Sequence, residues 1–165
     1  NLKTPELSTL TNNAATKADN NLMDKTSYWW EKEGLRFECT QCGKCCGGEP
    51  GSIWVDEKER SRIAEFLAID EVSLRKDYLV RKGGFVSIKE RENFDCAFLD
   101  PVSKKCTIYP VRPNQCSTFP FWNSLLTDKK IWNFYASRCS GMNNGKLYSK
   151  EMIQHLLNDE INKTK

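Results

Sequence analysis

Four of the eight cysteines in this 165-residue chain fall within eight consecutive residues, Cys39-x2-Cys42-x2-Cys45-Cys46, and the other four stand singly at Cys96, Cys106, Cys116 and Cys139. An even count suits either four disulfides or metal sites, and spacing separates the two. Disulfide scaffolds are mostly short secreted chains that lack a core of their own. This chain is 39% hydrophobic and 11% aromatic, enough for one core and too short for two, so a small single domain is expected. Its opening stretch has neither a charged start followed by an apolar run nor a small-residue cleavage site. The eight thiols are therefore read as metal ligands in a reducing compartment. That setting is intracellular, in the cytoplasm, or in an organelle matrix or stroma where a targeting peptide has been removed. No window approaches a membrane-spanning run, so the chain is expected to be soluble and to have no membrane partner.

Three thiolates at every third residue of one loop suit an iron–sulfur cube, which presents metal at several corners and can draw a further ligand from far along the chain. A lone tetrahedral zinc more usually takes two ligands from each of two Cys-x2-Cys knuckles, and only one such run is present. Spacing alone thus favours a 4Fe-4S cluster over zinc without excluding zinc. Adjacent side chains in an extended segment face opposite ways, so Cys45 and Cys46 need not serve the same centre. One partition groups Cys39, Cys42 and Cys45 with one remote cysteine, and Cys46 with the other three; the sequence does not say which cysteine goes where.

The flanking chain reads as an α+β scaffold. Residues 1–26 hold five Asn, no aromatic residue and three charges of each sign, the composition of a flexible tail, with the metal-binding domain spanning 27–165. The cluster Tyr28-Trp29-Trp30 is expected to pack over the cysteine loop or against the core. Ile53-Trp54-Val55 reads as a short strand, and Asp56 with Glu59 as a capping box opening a helix whose apolar face is Ile63, Ala64, Phe66 and Leu67. A second helix is expected from Asp70 through Leu79 to a stop at Gly83-Gly84. Phe85 to Ile88, Cys96 to Leu99 and Cys106 to Tyr109 read as a small antiparallel meander. The segment from Thr127 to Tyr135 is either helix or strand, and Ser149 caps a last amphipathic helix bearing Met152, Ile153, Leu156 and Leu157.

Other chemistries are weakly served. Twenty-five Lys and Arg against 22 Asp and Glu leave +3, scattered in pairs such as Arg75-Lys76 and Lys129-Lys130 rather than in the stripe a nucleic-acid binder needs. Two four-thiolate sites of about −2 each would take that to about −1, so no nucleic-acid partner is expected. The single histidine, His155, supports no catalytic triad and reads as a solvated helix position. Gly47-Gly48-Glu49-Pro50-Gly51 lacks the Lys-Ser/Thr of a phosphate loop, and its glycines are better explained by backbone room around a metal. Arg112 lies near Cys106 and Cys116 in sequence, where it could offset thiolate charge. Trp29, Trp30, Trp54, Phe119, Phe121, Trp122 and Trp132 are available to exclude water from the metal, though core packing alone is the readier explanation of them.

The run Phe37-Glu38-Cys39-Thr-Gln-Cys42-Gly-Lys-Cys45-Cys46, followed by Cys96-Ala-Phe-Leu99, Cys106-Thr-Ile-Tyr109-Pro110-Val-Arg112-Pro113-x-x-Cys116-x-x-Phe119-Pro120-Phe121 and Cys139-Ser-Gly-Met, resembles the YkgJ-type cysteine-cluster family, whose domain is described as zinc- or iron-chelating. Cys139-Ser140 departs from the commoner Cys-Pro of that family. The resemblance implies metal binding and little about a reaction. Flagellin lysine N-methylase has a related cysteine cluster, which brings in a methyl-transfer reading. Against it, the chain has no glycine-rich nucleotide loop after a strand.

Three functions are thus carried forward. The first is a metal-binding protein holding an iron–sulfur cluster, zinc or both through the eight cysteines. The second is an enzyme or enzyme subunit using the cluster in redox or methyl-transfer chemistry. The third is a structural zinc module for contacts with a protein partner.

Overall fold

The first helix begins where the sequence places its cap. In the computed structural model, which describes residues 27–163, the Asp56 carboxylate accepts the Glu59 N–H at 2.8 Å and the Glu59 side chain accepts the Asp56 N–H at 3.0 Å. This reciprocal bond opens α1, Glu57–Leu67, which buries Ile63 and Ala64 and stops at Ala68 in the left-handed conformation. Asp70 then accepts the Ser73 N–H and starts α2, Glu71–Tyr78, with Leu74 fully buried.

The chain leaves helix four residues earlier than the sequence suggests. Leu79–Lys82 forms β2 and Phe85–Ile88 forms β3, an antiparallel hairpin with Leu79 opposite Ile88 and Lys82 opposite Phe85. Gly83-Gly84 is the hairpin's two-residue turn, not a helix stop, and the positive φ at Gly83 is what such a turn demands. The anticipated meander is not formed. Cys96 and Cys106 each make one isolated bridge, to Glu90 and Leu99, and belong to no strand. Likewise Ile53 to Val55 adds one bridge, Trp54 to Ser87, rather than a strand.

After a 3-10 turn at Tyr109–Val111 come the short α3, Asn114–Thr118, and α4, Asn123–Leu126. The ambiguous segment is helical: α5 spans Lys129–Arg138, with Asp128 accepting the Lys130 N–H. A second two-stranded sheet pairs β1, Leu35–Phe37, with β4, Lys146–Tyr148, antiparallel. The last helix, α6, runs over Lys150–Lys163 and buries Ile153 and Leu157. The architecture is α+β, with short antiparallel strands among helices. The tail expected over residues 1–26 lies outside the described residues.

Two hydrophobic clusters organise these elements. One joins Trp30, Leu35, Phe37, Phe119, Phe121, Leu125, Leu126, Trp132, Met142, Ile153 and Leu157. The aromatic trio contributes here: Trp30 is buried, Tyr28 stacks on it, and the Trp29 indole donates to the Leu126 carbonyl at 2.9 Å. The other joins Val55, Ile63, Ala64, Leu74, Leu79, Ile88, Phe98 and Ile108. Cysteines pack on both, Cys139 against the first and Cys96 with Cys106 against the second. Among the described residues no helix is long and apolar enough to cross a membrane.

Candidate metal centre

The cysteine loop is tied to three separate parts of the chain. At its start, the Glu38 N–H donates to the Gly141 carbonyl at 3.1 Å, and the Thr40 and Ser140 hydroxyls are 3.0 Å apart. In its middle, Gly43 has φ +71 and passes so close to Lys104 that a methyl group there would collide with the Lys104 carbonyl. At its end, the Cys96 N–H donates to the Cys46 carbonyl at 2.7 Å, and a Cβ on Gly47 would strike Asp95. Lys44–Cys46 is one 3-10 turn between these ties. The remote cysteines near residues 96, 106 and 139 are drawn to the loop by these backbone contacts.

Cys116 arrives by a different route. It sits on α3, whose first residue, Asn114, donates its N–H to the buried Glu59 carboxylate at 2.8 Å. Gln115 clamps the neighbouring segment, accepting the Trp54 N–H at 3.0 Å and donating to the Ser52 carbonyl at 3.0 Å.

All eight cysteines line one cavity of about 100 Å³, and none is in a disulfide. The disulfide framework weighed from the cysteine count is therefore not present. The cavity walls are mostly apolar, with Phe37, Ile53, Ile88, Phe98, Ile108, Phe119 and Trp122 around the thiols, and Arg112 is the only Lys, Arg, Asp or Glu among its lining residues. Cys39 and Cys45 are exposed and the rest half-buried. A second, more open cavity of about 180 Å³ shares Cys45, Cys46, Cys96 and Cys139 with the first and continues past Glu49 and Arg138, which form an ion pair.

Cys45 and Cys46 Sγ are 3.7 Å apart. The bond between them lowers the Cys45 pKa to about 7 and pushes Cys46 up, with burial adding to the rise at Cys46. Burial also pushes up Cys96, Cys106, Cys116 and Cys139, with neighbouring thiols adding to the rise. Arg112 acts the other way on Cys45, Cys106 and Cys116. Its guanidinium lies 3.9 Å from the centre of the Tyr109 ring and donates to the Tyr109 carbonyl at 2.8 Å.

Tyr109 is the lining residue that composition and spacing passed over. Its phenol lies close enough to the Cys39 thiol for their interaction to raise the Tyr109 pKa. The signal was the Tyr-Pro-Val-Arg-Pro stretch between two cysteines, which puts a phenol and a guanidinium on one tight turn. Of the aromatic residues singled out as water-excluding, Phe119 and Trp122 line the cavity. Trp30, Phe121 and Trp132 are core, while Trp54 packs on Phe85. His155 is exposed on α6, 3.8 Å from Asp159, and is not among the cavity's lining residues.

This donor set fits a soft or borderline metal. Eight sulfurs with apolar walls suit zinc or iron–sulfur and offer nothing to a hard, oxygen-seeking cation. Among the described residues no three Cys, His, Asp or Glu side chains converge on a point that one ion could occupy. The thiols instead line the wall of the cavity.

The comparisons agree at this level. The chain belongs to the CxxCxxCC family, described as "Putative zinc- or iron-chelating domain", which matches residues 38–140. Metal binding is the property that family and eight cysteines together support. An uncharacterized protein of Methanocaldococcus jannaschii, MJ0661, is 33% identical over 88 residues, 53% of this chain and 46% of that protein. The chain thus spans about half the length of the curated relative it matches. No solved structure matches.

Proposed function

We propose that the eight cysteines hold one or two iron–sulfur centres, 4Fe-4S in type with four thiolates to each cube, and that the protein acts as a metal-binding module built around them. The observation that carries this reading is the gathering of all eight unpaired thiols around one apolar cavity. Thiols that line one cavity without converging on a point suit a cluster, whose irons stand at separate corners and take one thiolate each. The apolar walls would restrict water, and Arg112 and the Tyr109 phenol would stabilise the negative charge of the ligated sulfurs.

Zinc is the second reading, favoured by the all-sulfur donor set and by the family's description as zinc- or iron-chelating. It would make the protein a structural module for protein contacts. Redox or methyl-transfer chemistry would need a reactant beside the metal, and the second cavity, with four of the thiols in its wall, offers the room.

The deciding experiment is anaerobic purification followed by iron, acid-labile sulfide and zinc analysis with a visible absorption spectrum. Brown protein with matched iron and sulfide is the expected result. Colourless protein with stoichiometric zinc would replace the cluster by the structural reading, and absence of both metals would overturn metal binding.

A further inference from the structure

We infer that the eight cysteines form two four-thiol sites, one made by Cys39, Cys42, Cys45 and Cys139 and the other by Cys46, Cys96, Cys106 and Cys116, abutting at the Cys45–Cys46 pair. This rests on the metal-binding reading above and deepens it by assigning ligands to centres.

The backbone ties carry the assignment. The loop's start is fastened to the segment after Cys139 by the Glu38–Gly141 and Thr40–Ser140 hydrogen bonds, which sets Cys139 beside the first cysteines. The loop's end is fastened to Cys96 by the Cys46 carbonyl, which sets Cys46 beside Cys96. Leu99 bridges Cys106, so Cys96 and Cys106 belong to one short folded segment.

Cys116 joins the second group through α3, whose first N–H is held by Glu59 on α1, the helix that gives Ile63 and Ala64 to the second hydrophobic cluster. Cys42 and Cys45 follow Cys39 at three-residue spacing on the same loop. The Cys45 and Cys39 charges also reach Cys106, so the two groups abut.

Packing divides them along the same line. Cys139 rests on the cluster of Trp30, Phe37 and Trp132, whereas Cys96 and Cys106 rest on the cluster of Ile63, Ile88 and Phe98. Cys45 and Cys46 are chain neighbours, and adjacent residues can direct their side chains to different centres.

The test uses the full chain, purified anaerobically, with Cys139→Ser and Cys106→Ser as variants. Each should keep about half of the wild-type metal. In Cys139→Ser, iodoacetamide followed by mass spectrometry should find Cys46, Cys96, Cys106 and Cys116 still protected. In Cys106→Ser the protected set should be Cys39, Cys42, Cys45 and Cys139. A folded variant that loses all its metal, or a protected set mixing the two groups, would overturn the division.

Should either variant fail to fold, wild-type protein partly unloaded by chelator gives the same information. Its thiols should become reactive in those two groups of four, and reactivity of all eight in step would overturn the proposal. Metal-free wild type is a different failure, since it removes the metal-binding reading itself.

Discussion

At the scale of single residues, Gly43 and Cys45 are the most exacting positions. Gly43 combines a left-handed backbone with a close approach to the Lys104 carbonyl, so an alanine there is strained and crowded at once. Gly43→Ala should cost about 1–3 kcal/mol, read as a lower melting temperature of the metal-loaded protein, whereas Gly84→Ala, with open space around the Cβ, should cost less. For Cys45 the lowered pKa has a definite sign. Its thiolate predominates above about pH 7 in the metal-free, reduced protein, and the thiolate is the reactive form. Alkylation of Cys45 should therefore rise through a midpoint near 7, while Cys116, pushed up chiefly by burial, should react only at higher pH. Mass spectrometry of the modified cysteines across pH checks both. The cysteines themselves were legible in the sequence because a thiol's chemistry is carried by its identity. Tyr109 was not, since its approach to Cys39 depends on how the 3-10 turn packs against the cavity.

Among the elements, local signals were readable where they were local and failed where tertiary pairing decided. Asp56 with Glu59, and Asp70, cap the helices expected to begin at them, because a cap needs only residues three or fewer positions apart. Leu79–Lys82, in contrast, continues a helical pattern of apolar residues yet pairs as strand, since the Gly83-Gly84 turn and the partner Phe85–Ile88 supply a full ladder of hydrogen bonds. Cys96 and Cys106 were expected in strands and instead make single bridges, which leaves their segments free to bend toward the loop. The linkage most consequential for the site is Glu59, which caps α1 and also accepts the first N–H of α3, the helix that carries Cys116. Glu59→Ala would leave both donors without that acceptor and should cost about 1–3 kcal/mol. The exposed Lys58→Ala on the same helix should cost little. Chemical denaturation of the two variants separates these outcomes.

At the scale of the whole molecule, the thiol cavity lies between two hydrophobic clusters and draws cysteines from both. Metal bound there would cross-link the clusters, so the free energy of binding adds to the free energy of folding. Removing the metal with a chelator under reducing conditions should lower the melting temperature and broaden the transition in calorimetry, and reloading should reverse both. An unchanged transition would mean that the clusters hold together without the centre. The central claim is that sulfur alone surrounds the metal, and X-ray absorption at the metal edge of the anaerobically purified protein tests it most directly. A first shell of sulfur only, with a short metal–metal distance if the centre is a cluster, is the expected result; a shell dominated by nitrogen or oxygen would contradict it.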